Sequence, residues 1–261
     1  AGLQLELKTN IELMCDIASG KTVANEALPP FAIFWDKDVR LAKTLEAAGM
    51  KLFNSAGAIE LCDDKSLTHI ALMNRVPQPK TVLIPLTFPR VGYTDCAFLE
   101  KIADYLGFPF VIKQCFGSFG AGVYLARNMD EAKAALMKTA GGAAIAQQYI
   151  ASSFARDIRA YVVGDKVAAA MLRHNESGDF RANVAQGGKA DAYTLNEAQA
   201  ALAVKTARIL GCTFAGVDLL FGENGEMTVC EVNSNAHFAG ISAATGVNIA
   251  DKIIEAVAQR I

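Results

Sequence analysis

One dipeptide limits the folds open to this chain more than any other. Asn224-Gly225 sits in the middle of residues 214–233, with an apolar run on either side. Asn-Gly between strand-like runs is the strongest short hairpin signal, because a type I′ turn needs positive φ at both central positions. With those two residues as the turn, paired positions sum to 449, so Glu223 faces Glu226 and Asp218 faces Glu231. Side chains alternate along a strand. That puts Asp218, Glu231 and Asn233 on one face, with Leu220 and Val229 beside them. Two carboxylates directly opposite each other repel, and burying them unpaired costs several kcal/mol. A divalent cation removes that penalty. Three oxygen-bearing side chains suit Mg²⁺ or Mn²⁺, with phosphate oxygens completing the shell. The plainer alternative is a solvated sheet face, and Leu220 and Val229 argue against it.

The remaining chain alternates strand-length apolar runs with helical patterns. Residues 31–35 read as a strand, 39–48 as a helix closed by Gly49, and 51–54 as a second strand. This is βαβ order and implies a parallel sheet. A helix is expected over about 64–74, followed by the punctuation Pro77-Gln78-Pro79. The middle block offers a helix at 95–106, a strand at 110–113, a strand at 123–126 and a helix at 129–139. Besides the Asn-Gly hairpin, a second one turns at Gly164-Asp165, and further helices are expected at 196–210 and 249–260.

Composition excludes several classes of function. Of 261 residues, 52% are hydrophobic and 20% charged, enough to build a sizeable core and too apolar for intrinsic disorder. The formal charge of −2 argues against a dedicated nucleic-acid binder. No uncharged apolar stretch approaches membrane-helix length. The opening Ala1-Gly2-Leu3-Gln4 lacks the blocks of a secretory signal, and since it is not Met, a natural start further upstream is expected. Cys15, Cys62, Cys96, Cys115, Cys212 and Cys230 form no CxxC pair, so buried reduced thiols and a cytoplasmic location are expected.

Between strands 110–113 and 123–126 lies Gly117-Ser118-Phe119-Gly120-Ala121-Gly122, with Lys113 at its foot. Glycines let backbone N–H groups approach phosphate oxygens. No Gly-Lys-Ser/Thr follows, and the loop leads into a strand, so it is not a Walker A loop. A mobile flap over a nucleotide is expected, against the alternative of an ordinary glycine-rich turn. Further on, alternation puts Asp157, Arg159 and Tyr161 on one strand face. A loop Asp179-Phe180-Arg181-Ala182-Asn183 and the flexible Gly187-Gly188 follow. Arg forks suit phosphates and carboxylates; for Arg156 and Arg173 a solvated charged face stays open.

In this order, the motifs resemble the ATP-grasp ligases, most closely the RimK-type glutamate ligases and their lysine-biosynthesis relatives. The matching residues are Asp64-Lys65, Val111-Ile112-Lys113 before the glycine loop, Gln147-Gln148-Tyr149-Ile150 and Arg156-Asp157-Ile158-Arg159. Gly178 to Asn183 with Gly187-Gly188, Ala215-Gly216-Val217-Asp218, Glu231-Val232-Asn233 and Thr245 to Ala250 complete the set. The resemblance covers roughly 60–261. It implies an α/β (α+β) ATP-grasp fold. A small parallel-sheet domain (1–75) would precede two α+β subdomains (76–147 and 148–261) that clamp the nucleotide. By resemblance, Lys65 and Lys113 would contact ATP phosphates, Gln148 and Tyr149 the adenine, and Asp157 the ribose. Arg181 and Asn183 would reach the phosphate end, and Asp218, Glu231 and Asn233 would hold two Mg²⁺ or Mn²⁺ ions. Two departures stand out. Gln148 occupies a position where the family usually has Glu, and Ser234-Asn235-Ala236-His237-Phe238 differs from both subfamilies where the acceptor should bind.

The expected reaction joins a carboxylate to an amine through an acylphosphate, releasing ADP. Phosphoryl transfer needs positioning and charge neutralisation, not a protein nucleophile. Arg181 and Asn233 are the expected catalytic groups. The three histidines, His69, His174 and His237, form no Ser-His-Asp or Cys-His set, and His69 reads as structural. Expected partners are an acceptor carboxylate on a protein, carrier or small molecule, and an amine donor such as glutamate. No nucleic acid or membrane is expected, and a homo-oligomer is left open. Two other classes compete. One is a nucleotide-binding module without catalysis, against which the retained like-charged pair argues. The other is a dinucleotide-dependent oxidoreductase, which would need a strand–loop–helix context.

Overall fold

Short apolar runs near the N-terminal end pair in parallel: β1 (Phe31–Ile33) lies beside β2 (Lys51–Phe53), joined by α1 (Val39–Ala47). This is a computed structural model, and it describes residues 4–118, 120–182 and 188–261. The side chain of Asp38 caps α1 by accepting from the Leu41 N–H, and Gly49, at φ +94°, turns the chain out of the helix. The single helix expected at 64–74 is instead two, α2 (Ala56–Asp63) and α3 (Lys65–Ala71). Asp64 separates them by leaving helical geometry and capping α3 through the N–H groups of Ser66 and Leu67. Gly57 in the first turn of α2 weakens the helical signal there.

The middle of the chain forms an antiparallel sheet in the order β3 (Thr81–Leu83), β6 (Ala144–Gln148), β4 (Phe110–Gln114), β5 (Val123–Ala126). Packed on it are α4 (Phe98–Leu106) and α5 (Met129–Thr139), with Leu99, Ile102, Phe110, Ile112 and Leu136 in the core. The fourth helix begins at Phe98, not at 95, because Asp95 folds back to accept from the Ala97 N–H.

The C-terminal half is a five-stranded antiparallel sheet. Its order is β11 (Met227–Asn233), β10 (Phe214–Phe221), β7 (Arg156–Val163), β8 (Lys166–His174), β9 (Lys189–Ala192). One face carries Ile158, Ala160, Val162, Val217 and Leu219 against α6 (Glu197–Ile209), and also against Ala58, Cys62 and Leu72 from the N-terminal helices. The other face is apolar at one end, where Tyr161 and Phe214 meet Phe53, α7 (Ala239–Thr245) and α8 (Ile249–Ala258). Trp35 stacks on Phe214 at 5.2 Å between ring centroids. Asn54 ties the segments together: its buried amide donates to the carbonyls of Phe214 and Ser234, and its oxygen accepts from the Thr213 and Phe214 N–H groups. Among the described residues, no helix is long and apolar enough to cross a membrane.

The Asn-Gly hairpin forms, with its turn shifted. Gly225 N–H donates to Gly222 O and takes φ +78°, while Asn224 is not among the positive-φ residues. A three-residue loop, 223–225, therefore replaces the expected type I′ turn, and Glu223 does not face Glu226. Near the turn the strands pair as Phe221 with Met227 and Leu219 with Val229. One extra residue, Cys230, then bulges and restores Asp218 opposite Glu231. Val229 consequently joins Leu219 in the core, not the carboxylate face.

Candidate active site

A cleft opens between the two larger sheets, and α3 bridges it by touching both β6 and β11. Lys65, Lys113, Gln148, Tyr149, Asp157, Arg181, Asp218 and Glu231 all line this cleft. Asn233 lies two residues beyond Glu231 on the same strand, opposite Gly216. Asn183 lies outside the described residues, as do Phe119 of the glycine loop and Gly187.

Four charges form its floor. Asp218 accepts from Arg159 at both oxygens, Nε to Oδ1 and Nη2 to Oδ2, each at 2.7 Å. Arg173 Nη2 lies 2.9 Å from the same Oδ2 and forks onto Asp157 at 2.6 and 2.8 Å. Burial opposes the charge on Asp218, but the two guanidinium groups outweigh it and hold the carboxyl below its usual range. For Asp157, burial prevails over Arg173, and the neighbouring Asp218 adds to the rise. This corrects two expectations. Asp218 and Glu231 do not stand as a bare repelling pair, because the arginines neutralise Asp218. Arg173 is no solvated charge, since its side chain is only 5% exposed. Sequence reasoning missed it because a bulge at Ala168 shifts the register of the second hairpin so that Arg173, not Leu172, faces Asp157.

Above the floor, cations from three segments hold the glycine loop. Lys65 Nζ donates to Gly117 O at 3.0 Å, Arg181 Nη1 to Gly120 O at 2.8 Å, and Lys37 Nζ to Ser118 Oγ at 3.2 Å. Gly122, at φ +69°, ends the loop where a Cβ would strike the Gln114 side chain. Arg181 is also forked onto Asp179, whose hydrogen bonds raise its pKa. Lys37 lies outside the motifs read from sequence, and it also pairs with Asp63 at 2.9 Å. Lys113 Nζ donates to Gln147 Oε1 at 2.6 Å and approaches Cys230 Sγ at 3.6 Å. At the rim, Tyr149 meets Phe180 edge-on at 6.3 Å, an aromatic wall beside the Gln148 backbone. The Gln148 N–H is already committed to Lys80 O.

Oxygen-seeking ions fit this arrangement in part. Glu231 is partly open, with Lys65 Nζ 3.4 Å away, and the buried Asn233 Nδ2 has no hydrogen-bond partner, so no protein acceptor fixes which way that carboxamide presents its oxygen. These two arms are uncommitted to strong protein partners, whereas Asp218 would share its oxygens with two arginines. Among the described residues, no three His, Cys, Asp or Glu side chains group to hold a metal, so the set depends on the Asn233 carboxamide. Of the six cysteines, Cys62, Cys115 and Cys212 are buried; Cys15, Cys96 and Cys230 are half-buried.

Comparison with known proteins agrees with this geometry. A family model described as the RimK-like ATP-grasp domain matches residues 62–257. The uncharacterized protein MG012 of Mycoplasma genitalium is 33% identical over 98% of this chain and 91% of its own length. A probable alpha-L-glutamate ligase of Picosynechococcus is 44% identical over 82% of this chain and 69% of its own. Among solved structures, a RimK domain ATP-grasp protein from Sphaerobacter thermophilus superposes with a TM-score of 0.70 at 22% identity, covering 94% of this chain and 86% of its own.

Proposed function

We infer the chemistry of the cleft from one premise: the chain belongs to the RimK-like ATP-grasp family and is an ATP-grasp ligase that joins a carboxylate to an amine. In that reaction the carboxylate of one substrate attacks the γ-phosphate of ATP, giving an acylphosphate and ADP. The amine of the second substrate then attacks the acyl carbon. A tetrahedral intermediate forms and collapses, phosphate leaves, and an amide bond remains. The strand–loop–strand setting of the glycine loop does not fit the oxidoreductase alternative. The ligase names of the relatives give the non-catalytic alternative no support.

The observation that carries the assignment of roles is the ring of cations on the glycine loop, facing a carboxylate floor across one cleft. Lys65, Lys113 and Arg181 are matched to a polyphosphate, and Lys65 and Arg181 would exchange loop carbonyls for phosphate oxygens. Arg181 is assigned the added charge stabilisation during transfer, and Asn183 is assigned to the same phosphate end. Tyr149, Phe180 and the Gln148 segment are matched to adenine, and Asp157 to the ribose end. Glu231 and Asn233, with Asp218, would hold Mg²⁺ or Mn²⁺, expected as two ions, which would supply charge neutralisation on the transferring phosphate. Glutamate is the proposed incoming amine, after the name of the cyanobacterial relative. The acceptor would lie beside Ser234 to Phe238. The division into segments 1–75, 76–147 and 148–261 is retained as part of this reading.

An ADP-release screen across paired amino acids and acceptor carboxylates, with mass spectrometry of products, tests the proposal. ADP should appear only when both substrates are present, with a product whose mass is their sum less one water. Tight ATP binding with no ADP from any pair would overturn the catalytic reading.

A further inference from the structure

His69 is spaced four residues after Lys65 on α3, so the two share a helix face. Lys65 reaches the glycine loop; His69 turns instead into a closed chain of hydrogen bonds. Its Nε2 lies 2.9 Å from Gln147 Nε2, and its Nδ1 lies 2.5 Å from Gln78 Oε1. Gln147 Nε2 also donates to Thr81 Oγ1 at 2.9 Å, and Gln147 Oε1 accepts from Lys113 Nζ at 2.6 Å. Gln147 is almost fully buried, and so is His69.

The donor and acceptor identities leave one solution. An ammonium has no lone pair, so Lys113 must be met by the Gln147 oxygen. That fixes the carboxamide, and its NH₂ then points at His69 Nε2. Two donors cannot share a hydrogen bond, so Nε2 must carry a lone pair. The proton of a neutral imidazole then sits on Nδ1, where Gln78 Oε1 accepts it. Each contact is satisfied in this arrangement, and rotating the Gln147 carboxamide would set NH₂ against ammonium at one end. Burial keeps the ring neutral, and the neighbouring charges of Lys113 and Lys65 reinforce that.

We propose that His69 is a positioning residue. Through its Nε2 lone pair it locks the Gln147 carboxamide, and Gln147 in turn holds the Lys113 ammonium in place in the cleft. Lysine stems are flexible, and an ammonium held by one fixed acceptor loses that freedom before ligand arrives. The inference rests on the reading of Lys113 as a group that meets ATP phosphates. It gives His69, which reads as a structural residue in the sequence, a defined effect on nucleotide affinity. Because the effect acts through Lys113, it should depend on the phosphates and not on the adenosine part.

Calorimetry with ATP and AMP, in Mg²⁺ buffer, tests this with four variants. Lys113→Ala is the reference, and it should weaken ATP binding while leaving AMP within about twofold. His69→Phe removes the lone pair, and it should weaken ATP about five- to tenfold, the scale of one lost hydrogen bond, again with AMP nearly unchanged. His69→Gln puts a carbonyl oxygen close to the position of Nε2 and should recover most of the ATP affinity. Gln147→Leu breaks the chain in its middle; it should match His69→Phe and replaces that variant if His69→Phe does not fold. Equal losses for ATP and AMP in His69→Phe or Gln147→Leu would mean a merely structural role and would overturn the proposal. So would failure of His69→Gln to bind ATP better than the broken variants. If Lys113→Ala itself affects ATP and AMP alike, the phosphate reading fails first. If Lys113→Ala is selective for ATP and the His69 and Gln147 variants are not, the relay alone is refuted.

Discussion

Asp218→Asn separates the two roles that meet on the cleft floor. From sequence, the substitution relieves a carboxylate repulsion and should leave the ligand-free protein as stable as before, or more so. The structure reverses that sign. Asp218 is the shared anion of Arg159 and Arg173, and its side chain is 5% exposed. An asparagine presents one oxygen where the aspartate presents two. If that oxygen meets Arg159 Nε, the new NH₂ faces Arg159 Nη2 and Arg173 Nη2, donor against donor. Removing one partner of a buried ion pair costs about 3–5 kcal/mol. The lower end applies, because Arg173 keeps both hydrogen bonds to Asp157. A loss of about 3 kcal/mol corresponds to a melting temperature lower by roughly 6–12 °C for a chain of this size.

Glu231→Gln is the control. Its carboxylate is 30% exposed and sits 3.4 Å from a single ammonium, Lys65. Pairs of that kind contribute roughly 0–1 kcal/mol. Urea unfolding followed by circular dichroism, without nucleotide or metal, should therefore show Asp218→Asn well below wild type and Glu231→Gln close to it. Both variants should then lose the additional stability that Mg²⁺-ATP gives wild type. An Asp218→Asn protein as stable as wild type in the ligand-free state would refute the reading of Asp218 as the arginines' counter-ion.

Three further outcomes are expected. Lys113→Ala should abolish ADP release under subsaturating ATP while lowering unfolding stability by no more than about 1–3 kcal/mol, the cost of leaving the buried Gln147 oxygen without its donor; a larger loss would make Lys113 structural. Stability should fall between pH 6.5 and 4, because the unfolded chain protonates His69 near 6.5 while burial holds it neutral in the fold down to about 4. That single group is worth about 3 kcal/mol over the window. His69→Gln should lose this part of the acid sensitivity in urea titrations at pH 7 and 4.5, and an unchanged pH slope would show that the folded ring titrates normally. Gly216→Ala would place its Cβ 2.6 Å from the Ala236 Cβ and 3.4 Å from the Arg159 side chain. It should cost about 1–3 kcal/mol, and a wild-type urea midpoint would mean that the segment after the last strand shifts freely.

What the sequence discloses, and what it hides, is divided by which interactions are local. Helix caps are local: Asp38, Ser55, Asn128 and Asn196 each accept from an N–H three residues on, and the helices at 39, 129 and 197 were legible. The charged groups of the cleft were legible because alternation along a strand is local too. Partnerships across the sheet were not. Nothing near Asp218 in sequence shows that Arg159 and Arg173 converge on it, and nothing near His69 shows Gln147. Asn54 completes four hydrogen bonds to residues about 160 to 180 positions away.

The two hairpins make the same point in their registers. In the first, the turn spends one residue more than the Asn-Gly signal implies, which shifts the pairing by one. The bulge at Cys230 shifts it back. The two errors cancel, so Asp218 faces Glu231 as simple counting expects, for a reason that counting does not contain. In the second, the Gly164-Asp165 turn is read correctly, with Val163 opposite Lys166, and the bulge at Ala168 goes uncompensated. Counting from that turn pairs Asp157 with Leu172, and the buried Arg173 is lost from view. The first bulge lies at the cleft itself. At Cys230, two successive side chains, Cys230 and Glu231, face the cleft between core residues Val229 and Val232. A strictly alternating strand could not present both. The bulge is therefore part of how the fold builds this site, since it places a carboxylate beside Lys65 and a thiol against Lys113 while the apolar face stays closed.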